Sequence, residues 1–447
     1  MLLSWFTDYL ADRSQRVLVN GTSSEWGNIE AGVPQGSVLG PLLFLMYIND
    51  LTFVIKHCDI RLFADDTCLF IRVDDHDIAA EKMNEDLVSI HEWAKQWLVT
   101  FSAAKTKTMI ITNRRGPRNY PPILYNNESI TAVSQHKHLG LVLSHDLQWS
   151  CHINEICVKS VKRLQTMKYL KFKVDRKSLE SMYFSYVRPL MEYGDVVWAG
   201  ARDKDLVKLD RIHVDAMRIV TGATARSNIA KLYEDTGWSS LHKRRSNHKL
   251  SLFYKIKNSL VPSYLKDLLP PVISQRTNYP VRTRNNLDNY FTRTETFRCS
   301  FIPSTINLWN SLNNDITAAT SIDLFNMLLT LPQPPQRPYL YFQPRLCNII
   351  LARMRIGCSK LNADLYYNLH VTDNPKCECG VNREDASHYF LCCPLYDSER
   401  RVFRDALHMV PFTVNTFLYG CDDVDHDTNR VIFDSVSKFI VDTRRFE

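Results

Sequence analysis

Twelve consecutive residues, Ile60-Arg61-Leu62-Phe63-Ala64-Asp65-Asp66-Thr67-Cys68-Leu69-Phe70-Ile71, constrain this chain more than any other stretch. Two apolar runs rich in aromatic and branched side chains flank an adjacent pair of aspartates, the pattern of a tight β-hairpin with carboxylates at its tip. Neighbouring side chains on a strand point to opposite faces, a restriction that relaxes at a hairpin tip. A carboxylate presented there can reach a hard divalent cation that also binds phosphate oxygens. Taken alone, Asp-Asp is an ordinary polar turn. Its neighbours along the chain change that reading.

Upstream lie Gly32-Val33-Pro34-Gln35-Gly36-Ser37-Val38-Leu39-Gly40-Pro41-Leu42-Leu43-Phe44 and then Tyr47-Ile48-Asn49-Asp50-Leu51. The glycines give backbone freedom and close approach, and Ser37 is placed to cap a helix running to about Ile55. Glycine-rich turn and acidic hairpin, in this order, resemble the palm of reverse transcriptases of non-LTR (LINE-type) retrotransposons. The first resembles that family's motif B and Phe63 to Asp66 its motif C.

The resemblance implies an RNA-directed DNA polymerase that extends a DNA primer on an RNA template with dNTP substrates. Two divalent ions, Mg2+ (or Mn2+), would clamp the in-line displacement, with Asp65 and Asp66 as ligands. By the same resemblance Gln35, Gly36, Ser37, Phe63 and Ala64 border template and incoming nucleotide. Phe101 to Ile111 resembles motif D, with Lys105 as the lysine that protonates the leaving pyrophosphate and Lys107 as runner-up. His138-Leu139-Gly140 resembles the primer grip. In the family a block carrying the first catalytic aspartate and the fingers precedes the segment that starts here, and Met1 falls after it. Neither Asp8 nor Asp12 has a matching position. The expectation is an amino-terminally truncated fragment, and the alternative reading is a catalytically inactive nucleic-acid-binding remnant.

Composition is compatible with this. A chain of 447 residues with a formal charge of +7 and a pI near 8.7 favours a polyanionic partner and is not disordered overall. Twelve cysteines spread over such a length, with no secretory leader, argue for reduced thiols and an intracellular setting, nuclear and/or cytoplasmic. The basic string His242-Lys243-Arg244-Arg245 suits nuclear import or a plain basic surface. Asn49 and Asp50 interrupt the apolar run from Val38 to Ile55, so no membrane association is expected.

The periodicities predict an α+β chain, in which the resemblance implies a partial right-hand polymerase palm of antiparallel sheet and packed helices, a helical thumb-like domain, and a small zinc-knuckle-like module. The expected spans are 1–148, 149–270, a linker-rich basic and aromatic segment 271–345, and 346–447. Arg16 to Val19 and Trp26 to Ile29 read as a strand pair, Ile123 to Tyr125 and Ile130 to Val133 as a hairpin, and His138 to Ser144 as a strand. Met83, Leu87, Ile90, Ala94 and Trp97 mark one core-facing helix, and Ile153, Ile156, Val161, Leu164 and Met167 another. Further helical patterns run through Tyr183 to Leu190, Leu206 to Val220 and Leu241 to Leu260. Lys159, Lys162, Arg163, Lys168, Lys171, Lys173, Arg176 and Lys177 form a basic stripe suited to phosphates or to a solvated face. Prolines 262, 270, 271 and 280, and later 332, 334, 335 and 338, punctuate the chain. Arginines 282, 284, 293 and 298 alternate with Tyr290, Phe291, Phe297 and Phe301, which suits single-stranded nucleic acid or an extended segment pinned to a helical domain.

Cys377-Glu378-Cys379, His388 and Cys393 form a C-x-C-x8-H-x4-C array, a donor set for a closed structural Zn2+ site, with Cys392 as competitor for the last position. Resemblance to the carboxy-terminal knuckle of LINE-type polymerases favours Cys393. Such a site is expected to tie together short segments that lack a core of their own.

Overall fold

The computed structural model describes residues 1–29, 31–72, 74–112, 120–273, 286–330 and 343–447. Arg282, Arg284 and prolines 280, 332, 334, 335 and 338 lie outside these residues. The chain divides into two units, 1–147 and 148–447.

Turns with left-handed backbone shape the first unit. After helix α1 (Leu2–Leu10), strands β1 (Ser14–Gln15) and β4 (Gly27–Asn28) enclose the hairpin of β2 (Leu18–Val19) and β3 (Thr22–Ser23). Asn20 and Gly21, at φ 49° and 82°, turn that hairpin. Arg16 to Val19 therefore does not pair with Trp26 to Ile29: the asparagine-glycine turn folds Leu18–Val19 onto the residues directly after it. Helix α2 (Gly40–Ile48) passes into a tighter 3-10 turn, Asn49–Val54, and then strands β5 (Asp59–Phe63) and β6 (Asp66–Phe70). Helix α3 (His76–Gln96) starts where Asp75 accepts the N–H groups of Asp77 and Ile78.

Strand β7 (Lys107–Thr108) runs parallel to β10 (Thr131–Ala132). Asn126 and Asn127, both at positive φ, join β8 (Leu124–Tyr125) to β9 (Glu128–Ser129). Gln135–His138 (β11) pairs with Leu141–Ser144 (β12), so the strand expected from His138 is half of a hairpin. The implied palm sheet is absent among the described residues, where every ladder has two strands, five antiparallel and one parallel. Tight turns return β2, β5, β8 and β11 to the strand directly after each, and none of these hairpins recruits a third strand. Ile48, Leu51, Leu87, Ile90, Trp93, Ala94, Tyr125 and Ile130 form the core between α2, α3 and the hairpins.

The second unit is mostly helical. Helix α4 (Ser150–Leu170) buries His152, Ile153, Ile156, Ser160, Leu164 and Met167. Val161 lies off that face and is 41% exposed, because the true stripe steps through Ser160. Helix α5 (Arg176–Met182), capped by Asp175, continues through a π-helical turn at Tyr183–Val187. The helix Asp203–Thr221 ends at Gly222, Ile229–Thr236 ends at Gly237, and Leu241–Lys257 stops short of the expected Leu260. Phe253, Tyr254, Trp309 and Phe325 pack the helices Phe301–Asn310 and Ile322–Leu329 onto Leu241–Lys257.

The last hundred residues have a substantial core. Cys347, Ile350, Leu351, Tyr389, Phe390, Phe403, Phe417, Ile432, Phe433, Val436 and Phe439 are all buried in one cluster. Each such apolar side chain withdrawn from water contributes about 1.5–3 kcal/mol. The expectation of short segments without a core of their own, tied mainly by metal, is therefore not met: four helices, Arg345–Ile356, Asp397–Ala406, Val414–Tyr419 and His426–Asp442, and the π-turn His388–Cys392 supply aromatic faces that pattern reading underestimated. No helix of the described residues is long and apolar enough to cross a membrane.

Candidate functional site

The acidic hairpin forms in the register that alternation requires, with Asp59 opposite Phe70, Arg61 opposite Cys68 and Phe63 opposite Asp66. Ile60, Leu62 and Leu69 pack on the core of the first unit, which turns Arg61, Phe63, Asp66 and Cys68 to the other face. Ala64 takes φ 51° to close the two-residue loop, and Phe63, Ala64, Asp65 and Asp66 are all exposed. The loop entering the hairpin is anchored by Asp86 of α3, whose carboxylate accepts the N–H groups of Lys56, His57 and Cys58 at 2.9, 3.0 and 2.7 Å. Burial raises the Asp86 carboxyl, but these donors outweigh it and hold it below its ordinary range. Asp86 had no sequence signal, since an acid within an amphipathic helix reads as solvent face.

In the glycine-rich turn, Ser37 Oγ accepts the Gly40 N–H and donates to the Pro34 carbonyl, both at 2.9 Å. A Cβ on Gly40 would stand 2.8 Å from that same carbonyl, so the close approach needs glycine. The helix starts at Gly40, three residues after Ser37, and Gln35 and Gly36 stay exposed, Gly36 at φ 80°. Lys105 is exposed on a turn whose N–H returns to the Ser102 carbonyl, whereas the Lys107 ammonium donates to the Ala104 carbonyl at 3.0 Å. His138 closes the β11–β12 hairpin opposite Leu141, with Leu139 and Gly140 at φ 46° and 81° forming its turn.

Cys377, Cys379, His388 and Cys393 are brought together, their donor atoms all within 4.8 Å of one another. The Sγ atoms of Cys377 and Cys393 are 3.6 Å apart, and Cys379 Sγ is 3.3 Å from His388 Nε2. Cys392 sits on the other side of the imidazole, exposed, 3.8 Å from Nδ1. Gly380, at φ 77°, turns the C-x-C loop, and its N–H returns to the Cys377 carbonyl. Asp385 accepts the His388 N–H at 2.9 Å, and Arg400 donates to the carbonyls of Cys393 at 2.6 Å and Phe390 at 3.0 Å. These two supports were not legible in the sequence.

Burial pushes the Cys377 thiol up and the Cys393 thiol to about 12, while the Val381 N–H above all lowers Cys379. Three thiols and an imidazole this close are the donors of a tetrahedral soft-metal site, where a cation deprotonates thiols outright. Among the described residues this is the one group of three or more cysteine, histidine or acidic side chains so gathered. Among the described residues, Asp65 and Asp66 are not part of any cluster of three or more cysteine, histidine or acidic side chains.

The basic stripe is divided by the fold. Arg176 is buried and pairs with Glu180 and Asp235, so it faces no phosphate. Lys159 pairs with Glu155, and Arg163 lies over the Tyr186 ring. Lys162, Lys168, Lys173 and Lys177 remain exposed. In the 242–245 string, Arg244 pairs with Glu192 and Arg245 is buried beside Trp198. Of the alternating aromatics, Tyr290 donates to the Leu268 carbonyl and Phe301 joins a core, while Phe291 is exposed. Arg298 pairs with Glu295.

Comparison with known proteins gives this arrangement a family. Residues 1–173 match the family of reverse transcriptases (RNA-dependent DNA polymerases). They belong to the reverse transcriptases, of the non-LTR retrotransposon kind. The chain is 25% identical over 289 residues to a probable RNA-directed DNA polymerase from transposon X-element of Drosophila melanogaster, an alignment covering 62% of this chain and 32% of that protein. Similarity to the RNA-directed DNA polymerase from mobile element jockey of the same organism is 29% over 225 residues, 48% and 24% of the two chains. A probable RNA-directed DNA polymerase from transposon BS is 27% identical over 250 residues, 54% and 28%. The chain thus spans a quarter to a third of the length of these curated relatives. Within the reverse transcriptase domain, the family match covers the glycine-rich turn, the acidic hairpin, the Lys105 loop and helix α4.

Proposed function

We propose that this chain is the part of a retrotransposon reverse transcriptase that carries the acidic hairpin and the nucleotide-facing turn, and that it binds RNA template and DNA primer. The observation that carries this reading is the exposed Asp65-Asp66 tip, on a hairpin held from behind by the core and by Asp86, within a reverse transcriptase domain. Exposed adjacent carboxylates suit a Mg2+ that shares its remaining positions with water and phosphate oxygens. Gln35, Gly36, Ser37, Phe63 and Ala64 are read as bordering template and nucleotide, Lys105 as the proton donor, and His138 to Gly140 as holding the primer.

Two-ion catalysis needs oxygen ligands from more than one side, and the described residues bring only the hairpin pair. Purified residues 1–447 are therefore expected to bind primer–template duplexes with an affinity that falls steeply with salt, and to extend primers at least about a thousandfold more slowly than a complete two-ion site. Filter binding beside primer extension on RNA reads both. Robust Mg2+-dependent synthesis lost in Asp65→Ala would replace the binding reading with an active polymerase.

We also propose that Cys377, Cys379, His388 Nε2 and Cys393 hold one structural Zn2+. Three thiolates and one imidazole favour a four-coordinate site without an open position, so its role is structural. Elemental analysis of the purified protein should give one zinc per chain, lost in Cys393→Ser and kept in Cys392→Ser. Loss in Cys392→Ser with retention in Cys393→Ser would reassign the fourth ligand.

A further inference from the structure

Where α4 ends, the segment Lys168-Tyr169-Leu170-Lys171-Phe172-Lys173 alternates cations with rings, and the fold leaves the rings outside. Tyr169 is 71% exposed and Phe172 65% exposed. Each carries a cation near its face: Lys173 Nζ lies 3.7 Å from the Tyr169 ring centroid and Lys171 Nζ 5.4 Å from that of Phe172. Much of the backbone beneath is hydrogen-bonded. The Lys171 N–H donates to the Lys168 carbonyl, those of Lys173 and Val174 donate to Leu170, and Asp175 then caps α5. Ordering this corner on binding a ligand costs little, because it is already ordered.

A second element brings more positive charge to the same place. Arg345 donates to the Lys171 carbonyl at 2.8 Å and to those of Val220 and Ile219 at 2.7 and 3.0 Å, and Arg353 donates to Gly222 at 2.8 Å. Both guanidiniums cover the carboxyl end of the Asp203–Thr221 helix. They also crowd Lys171, whose ammonium is pushed down to about 8 by burial first and then by Arg353, Arg345 and Lys168. The acids on the Arg345 side are engaged, Asp175 with Ser178 and Glu180 with Arg176. Asp175 and Glu180 offset part of the charge at Arg345, and where cations still crowd one another an anionic ligand is stabilising.

We propose that this corner, formed by Tyr169, Lys171, Phe172, Arg345 and Arg353, binds single-stranded nucleic acid, with bases stacking on the two rings and a backbone phosphate seated at Lys171. Unpaired bases fit because only they offer a free π face, whereas a duplex hides its faces in its own stack. The site belongs to the second unit, and its test involves no metal binding at the hairpin.

The test is fluorescence anisotropy of full-length protein with labelled 12-nucleotide single-stranded RNA, single-stranded DNA and an RNA duplex across a salt series. The variant Y169L/F172L keeps the apolar bulk without the π faces. It is expected to weaken single-strand binding about ten- to hundredfold and to leave duplex binding within about twofold. Lys171→Gln should reduce the single-strand salt slope by about 0.7. Tyr169→Phe should bind like the parent. A larger loss on RNA or on DNA supports the site and assigns the strand. Single-strand binding unchanged in Y169L/F172L, or an equal loss on duplex, would overturn the proposal. Both rings are exposed, so neither substitution should disturb folding.

Discussion

Three aspartates of this chain occupy three electrostatic situations. Asp235 is enclosed between Arg176, whose Nη1 is 2.9 Å from Oδ2, and Arg355, which also donates to the Leu418 carbonyl. Burial raises its carboxyl, and the two guanidiniums overcome that and hold it below its ordinary range. Asp235→Asn leaves two buried cations short of a partner and should cost about 3–5 kcal/mol in urea unfolding at neutral pH. Because the folded-state value lies below the unfolded one, the ionised form's contribution is full above the usual carboxylate range. It is lost as pH falls through the depressed folded-state value, so the gap between wild type and variant should narrow in acid. Asp65→Asn, on the exposed tip, should fall within about 0.5 kcal/mol of wild type in the same experiment. A gap that stays constant down to strong acid would mean the carboxylate charge is not what stabilises. Asp65 was legible because alternating apolar runs isolate it. Asp86 and Asp235 were not, since their partners lie 28–30 and 59–120 residues away and no local pattern announces them.

At the scale of elements, turn chemistry was more legible than strand pairing. Asn20-Gly21 and Asn126-Asn127 announce left-handed backbone, and both turns close hairpins. What sequence cannot supply is which flanking residues pair, and the outer strands of the first hairpin were misplaced for that reason. Helix faces read well where the stripe is apolar, and fail at Ser160, a buried polar residue that displaced Val161 from the predicted face. Glycine at a helix end shows the same limit. Gly222 at φ 76° ends its helix in the left-handed conformation, yet a Cβ there would lie 2.6 Å from Ile349 Cγ1, a contact 127 residues distant that no local signal reveals. Gly222→Ala combines backbone strain with overpacking and should cost about 1–3 kcal/mol by thermal or urea melts. A neutral result would show that Ile349 yields freely.

At the scale of the whole molecule, the packing of the second unit bears on how the cluster of three cysteines and one histidine is supported. Composition and prolines suggested a seam near residue 345, ahead of a small module. In the structure Arg345 caps the carboxyl end of Asp203–Thr221, and Ile356, Cys358 and Leu369 share a buried cluster with Val214, Met217, Ala223 and Leu232. Arg355 reaches Asp235 from the far side of the same interface. Cutting at 345/346 would expose Ile349 and Ile356 and leave Arg355 without its carboxylate, whereas the first division in the packing falls after Leu147. Buried charge pairs of this kind lose more when split than they contribute when formed, so the interface resists partial opening. Residues 148–447 expressed alone are therefore expected to retain zinc and to unfold in one calorimetric transition. Asp235→Asn should lower that whole transition, the residues around Cys377 to Cys393 included, even though none of the four clustered side chains pairs with Asp235. Two resolved transitions, with the substitution moving only the first, would show that the residues around Cys377 to Cys393 fold independently of the helices before them.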